Sequence, residues 1–189
     1  DSSLTLTNVT FTDNLAWGSG MFNVSSNTTI RNSIFWGNGD QIYGGAIVSD
    51  SVIQGGCPIY GSTCANTITA DPMLGTLGNY GGFTQTIPLL PGSSAIDATS
   101  NTCPATDQRG ETRSLPNCDI GAFESQGFSF VITDGNNQRT LINHAFTNPL
   151  IVGVTANNTV EPVNGGLVTF TAPASGASAV LTGSPSTIL

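Results

Sequence analysis

Three stretches of the chain, SLTLTNVTFTDN (residues 3–14), NTTIRNSIFWGN (27–38) and GAIVSDSVIQGG (45–56), can be laid over one another. Leu6, Ile30 and Val48 then share one column, and Phe11, Phe35 and Ile53 share a second. Asn8, Asn32 and Asp50 form a third, polar column between the two apolar ones. The offsets are 24 residues from Leu6 to Ile30 and 18 from Ile30 to Val48. That is the length of one coil of a parallel β-helix, in which stacked strands bury matching apolar columns. The polar column falls where the chain must turn, and Asn and Asp tolerate left-handed backbone there. The longer first interval is expected to form a looser turn around WGSGMF (17–22). Alternation alone would fit three unrelated antiparallel strands equally well; the coincidence of three columns favours the solenoid. A few coils need caps, and a strand-like stretch directly after Asp1 reads as a piece of something longer.

Further along, the pattern changes twice. From Cys57 to about Ser125 the repeat gives way to Gly- and Pro-rich chain punctuated by Pro72, Pro88 and Pro91. Residues 1–125 therefore read as the end of a parallel β-helix with an irregular cap. Residues 126–189 contain FSFVIT (128–133), PLIVGVT (149–155), GGLVTFTAP (165–173) and ASAVLTG (177–183). These alternating runs, bounded by Gly, Pro and Asn, predict antiparallel strands of a β-sandwich. A full sandwich takes about 100 residues, more than this segment supplies, so the expectation is its first half only. The fold class is all-β.

Composition narrows the function. Among 189 residues there are four arginines, no lysine and twelve acids, for a net charge of −8. Such a chain cannot make the phosphate contacts that drive nucleic-acid binding, and anionic membrane surfaces would repel it. No transmembrane run or lipidation motif is read, so membrane insertion is not expected. The cysteines fall into two local pairs, Cys57/Cys64 and Cys103/Cys118. Four cysteines allow three connectivities, of which short spacing favours the local one. Neither pair has zinc spacing and the single histidine, His144, lies far off, so disulfides are the better reading. They imply an oxidising setting, extracellular or at a cell surface.

The charges that exist are concentrated. DQRGETRSLPNCDIGAFE (107–124) holds two of the four arginines and four of the twelve acids. Read as a structural latch, Arg109 and Arg113 present forks suited to carboxylates and carbonyls, with Asp107, Glu111 and Asp119 as partners. Leu115, Ile120 and Phe123 would plug the open lower end of the coil stack, whose strand edges need cover. A weak calcium site from Asp71, Asp97, Asp107 or Asp119 is a lesser reading. No EF-hand or nonapeptide calcium repeat occurs, and no resident metal or cofactor is expected. Trp17, Trp36 and Tyr43 are candidate glycan contacts, with simple packing as the plainer alternative. The sequons at Asn8, Asn23, Asn27 and Asn157 are read as incidental.

Two segments resemble known families. DPMLGTLGNYGGFTQTIPLLPGSSAIDA (71–98) followed by CPATDQRGETRSLPNCDIGAFE (103–124) is similar to the C-terminal segment of bacterial choice-of-anchor Q surface proteins. The repeats of those proteins form right-handed, pectate-lyase-like parallel β-helices. AFTNPLIVGVTANN (145–158), EPVNGGLVTFTAP (161–173) and SGASAVL (175–181) resemble the first half of an invasin/intimin-like Ig-fold repeat. The resemblance implies a non-enzymatic adhesion or scaffold module of a larger surface protein or fibre. Its partners would be other copies of itself or neighbouring modules, joined by strand addition, with glycans as further candidates.

The competing reading is a carbohydrate-active enzyme, a polysaccharide lyase or hydrolase. The Gly-His-Gly and Arg-Ile-Lys elements of polygalacturonases are absent, and Arg31 is the only basic residue on the repeats. Asp13, Asp40 and Asp50 are available acids, but a chain of −8 repels acidic glycans. A non-catalytic glycan-binding module is the third reading.

Overall fold

The computed structural model describes residues 4–16, 20–24, 28–59, 61–100, 102–175, 178–181 and 186–189, and no helix occurs among them. Six short strands make one sheet: Thr5–Thr7 (β1), Thr10–Thr12 (β2), Thr28–Arg31 (β3), Ile34–Trp36 (β4), Ala46–Ile53 (β5) and Thr63–Ile68 (β6). Every pairing in it is parallel, β1 with β3, β2 with β4, β3 and β4 with β5, and β5 with β6. The sheet curls into a half-barrel.

The register follows the columns. Leu6 faces Ile30, which faces Val48; Phe11 faces Phe35, which faces Ile53. A fourth rung continues the first column, with Val48 opposite Cys64. Sequence reading missed it, because the expected repeat ended before Cys57. Successive rungs are offset by 24, 18 and 16 residues. Midway along each rung the chain bends at a left-handed residue: Asn8 (φ 55°) between β1 and β2, Asn32 (47°) between β3 and β4, Asp50 (46°) within β5 and Asn66 (53°) within β6. Left-handed backbone costs a Cβ-bearing residue roughly 1–2 kcal/mol, least for Asn and Asp, which is why the column admits only these two. Asn66 Nδ2 donates to Asp50 Oδ1 at 3.1 Å, so the column also bonds along the stack.

Inside the curl, Ile30, Phe35, Ile42, Ala46, Val48 and Ile53 form a buried cluster with Leu6, Phe11, Met21 and Cys64 packed against it. Phe11 and Phe35 stack with ring centroids 4.7 Å apart. Phe22 and Tyr43 stack at 5.0 Å and bridge as parallel partners outside the named strands. Of the looser turn expected around residues 17–22, residues 17–19 lie outside the described residues; Gly20 N–H donates to the Asp40 carbonyl at 2.9 Å, and Met21 packs half-buried against the core.

The segment after β6 covers the flank of the stack, not its base. Ile34 and Val52 point away from the interior and form a second cluster with Leu89, Ala95 and Ile120, joined by Trp36, Ile68 and Leu74. Gly121 N–H donates to the Asn32 carbonyl at 2.8 Å, and Ala122 N–H to Thr10 Oγ1 at 3.1 Å. The contacts reach the first rung as well as the third, while no residue of β6 is fully buried. The expected cork at the lower end is corrected accordingly. An apolar outer column of Ile34, Val52 and Ile68 leaves more surface to hide than one strand edge does. Of the three expected plugs, Ile120 and Phe123 are buried, whereas Leu115 is 74% exposed.

The remaining strands pair antiparallel: Phe128–Asp134 (β7) with Ile151–Ala156 (β8), both expected, and Leu167–Thr169 (β9) with Ser186–Ile188 (β10), which lies outside the four expected runs. Among the described residues the two pairs do not pack on each other as layers. Phe130, Val131 and Ile132 are all more than half exposed, so β7 shows apolar side chains on both faces. Residues 178–181, within the fourth expected strand, carry no strand. The boundary expected at 125/126 is crossed by close contacts: Leu167 N–H donates to the Pro91 carbonyl at 2.7 Å, and Glu161 bonds to residues of the cap.

Candidate functional site

The charged cluster of residues 107–124 is buried. Asp107, Arg109, Arg113, Asp119 and Glu124 are all less than a tenth exposed. Asp107 sits at the start of a tight turn and uses both oxygens: Oδ1 accepts from Arg109 N–H at 2.7 Å and Glu111 N–H at 3.1 Å, Oδ2 from Arg109 Nε at 2.8 Å and Glu124 N–H at 3.0 Å. Arg109 also donates to the Glu124 carbonyl at 2.5 Å and to Glu161 Oε1 at 3.3 Å. Its guanidinium carbon lies 3.5 Å from the centre of the Phe123 ring, a cation–π contact. Gly82 (φ 78°) lets the chain pass there; a Cβ would meet Arg109 Cα at 2.7 Å.

Arg113 forms the second half. Nη1 donates to Glu124 Oε2 at 2.8 Å and to the Asp119 carbonyl at 3.1 Å, and Nη2 donates to the Gly121 carbonyl at 2.8 Å. Glu124, fully buried, also accepts from Ser114 N–H at 2.7 Å and Asp119 N–H at 2.9 Å. Asp119 accepts from Asp97 N–H at 2.8 Å and Ser125 N–H at 2.6 Å. Burial, with the Glu124 carboxylate nearby, pushes the Asp119 carboxyl up to about 7 despite those two donors. Burial likewise raises Glu161, which takes Ser125 Oγ at 3.0 Å and the Gln126 N–H.

Arg109 and Arg113 are therefore paired with Asp107, Glu124 and Glu161; of the three acids singled out in the sequence, Asp107 makes an ion pair, and Glu111 and Asp119 do not. Glu111 offers its backbone N–H to Asp107 but takes no part in these ion pairs. Asp119 touches Arg113 only through its carbonyl. Glu124 lay within the quoted cluster and could have been singled out; Glu161, 52 residues from Arg109, gave no local signal. Disulfides join Cys57 to Cys64 and Cys103 to Cys118. The acids considered for calcium do not converge: among the described residues no three metal-ligating side chains group together.

Two open grooves border the cap. The larger, about 480 Å³, runs between the first-rung bend at Asn8 and the latch loop at Gln108. The other, about 310 Å³, is lined by Trp36, Asp13, Asp71, Thr12 and Met73. Of the three aromatic candidates, Trp36 lines the second groove; Tyr43 stacks on Phe22, and Trp17 lies outside the described residues. Comparison of the chain with protein-family models, curated proteins and solved structures gave no match.

Proposed function

We propose that the chain is a non-enzymatic structural and adhesion module of a larger extracellular surface protein or fibre. In this reading the parallel rungs are the end of a right-handed β-helix, and residues 126–189 are part of an Ig-like stalk unit. The resemblance to choice-of-anchor Q and invasin/intimin-like segments supports it. The observation that carries it is the fate of the charged cluster: every carboxylate in the arginine pairs is buried and consumed by internal bonds. Asp119 has a raised pKa, as a general acid would need, but both its oxygens are occupied and it is 1% exposed. That argues against a lyase or hydrolase. Two disulfides fit an oxidising compartment, and no described helix is long and apolar enough to cross a membrane.

Neighbouring copies or modules would join by strand addition along β7–β8, or at the side of β1 that carries no partner strand among the described residues, where backbone hydrogen bonds supply affinity. Electron microscopy and light scattering of the purified chain test this, alongside incubation with pectin and alginate. Concentration-dependent end-to-end particles without product release are expected. Release of unsaturated or reducing sugar ends overturns the reading.

A further inference from the structure

We infer that the groove beside Trp36 is a binding subsite for a neutral pyranose. The inference deepens the adhesion reading and rests on it for its setting alone. Three observations converge. Trp36 is half-buried, packed on one side against the flank cluster of Ile34 and Val52, and it also lines an open groove of about 310 Å³. That volume is at the lower end of small-ligand sites. Its indole is thus held by packing with surface left over, a flat apolar wall on which the C–H face of a sugar ring can lie.

The second observation is the pair of carboxylates on the same groove. Asp13 is fixed by the left-handed bend after β2 (φ 56°), and its Oδ1 sits where a Cβ on Gly37, the neighbour of Trp36, would meet it at 2.9 Å. Asp71 commits Oδ1 to Met73 N–H at 2.7 Å. Both aspartates are exposed, and no ion pair among the described residues involves them. Ionised carboxylates accept short, strong hydrogen bonds from hydroxyl groups, and vicinal sugar hydroxyls present two such donors side by side.

The third is charge. With two acids and no cation on its lining, the groove repels uronic and sialic acids, which leaves neutral sugars. Such a site is unlike the latch, where Asp107, Asp119 and Glu124 are buried and matched to an arginine or to backbone donors.

The test uses the full chain with Trp17→Phe, so that Trp36 is the one indole reporting fluorescence. It is titrated with neutral gluco-, galacto- and manno-configured tetrasaccharides, and with galacturonate oligomers, in the presence of EDTA. Expected is a saturable fluorescence change for at least one neutral sugar, none for the galacturonates, and, by isothermal titration calorimetry run in EDTA and again in calcium, at least a tenfold weaker affinity in Trp36→Ala and in Asp13→Asn/Asp71→Asn. The asparagine variant keeps the left-handed bend and exposed positions, so circular dichroism and melting should match the parent even if Trp36→Ala is destabilised. No saturable response to any neutral sugar, binding that persists in the asparagine variant, or binding that appears only with calcium overturns the proposal. None of those outcomes touches the module reading, which fails instead on product release from polysaccharide.

Discussion

Glu124→Gln isolates the latch. The parent carboxylate is fully buried and takes three donors, Arg113 Nη1, Ser114 N–H and Asp119 N–H. Glutamine keeps the shape and one oxygen but turns an NH₂ group toward the remaining donors. Breaking a buried ion pair by removing one partner costs about 3–5 kcal/mol, and each donor left without an acceptor adds roughly 1–3 kcal/mol. Two effects oppose this. Arg113 keeps its bonds to the Asp119 and Gly121 carbonyls, and loss of the Glu124 charge relieves Asp119, whose ionisation it hinders. The net expectation is a loss of about 3 kcal/mol. For a chain of this length that lowers Tm by roughly 6–12 °C. The assay is thermal melting by circular dichroism at pH 7.5, with Glu111→Gln as the matched control. Glu111 lies in the same loop but outside the ion pairs, so its variant should stay within about 0.5 kcal/mol of the parent. A Glu124→Gln Tm within about 2 °C of the parent, or an equal loss from Glu111→Gln, would refute the assignment of the latch to Glu124.

Three further outcomes are expected. Because Asp119 titrates near 7 in the folded chain against 3.8 as its ordinary value, the folded state holds its proton more tightly. Stability should then fall as pH rises from about 4 to about 7, by at most roughly 1.4 kcal/mol per pH unit, and level off above. Denaturant midpoints at pH 5 and 8 read this, and a higher midpoint at pH 8 contradicts it. Cys103→Ser opens the loop closed onto buried Cys118 and should lower stability by about 3 kcal/mol, seen as a shift in the urea midpoint; an unchanged midpoint rejects it. Gly121→Ala places a Cβ 2.7 Å from Thr10 Oγ1 and 2.8 Å from Ile34 Cδ1 at φ 102°. It should loosen the cap from the rungs and speed proteolysis between residues 98 and 125 in a limited-digestion time course.

The rungs were legible because stacking in register repeats a physical demand at fixed places. Leu6, Ile30 and Val48 satisfy one demand, and Asn8, Asn32 and Asp50 another. The fourth rung was not, since Cys64 and Asn66 meet those demands while the Phe11 column has no apolar successor and Thr69 follows Ile68. Flank burial had a signal that went unused. Ile34-Phe35 and Val52-Ile53 are adjacent apolar pairs, and adjacent apolar residues in a strand mean cover on both faces. The latch was half legible: local spacing pointed to Arg109 and Asp107, but hydrophobicity alone put Leu115 inside, and no local pattern could reach Glu161. The tail strands were legible as alternation, which says nothing about whether a second layer lies against them.

The offsets between rungs shorten along the chain, 24, 18 and then 16 residues. The paired side chains shrink in step, from Leu6 and Ile30 through Val48 to Cys64, and from Phe11 and Phe35 to Ile53. Smaller side chains offer less apolar surface to whatever lies beyond them. The sheet is therefore polar along its stacking direction, and its β1 and β6 edges present chemically different surfaces.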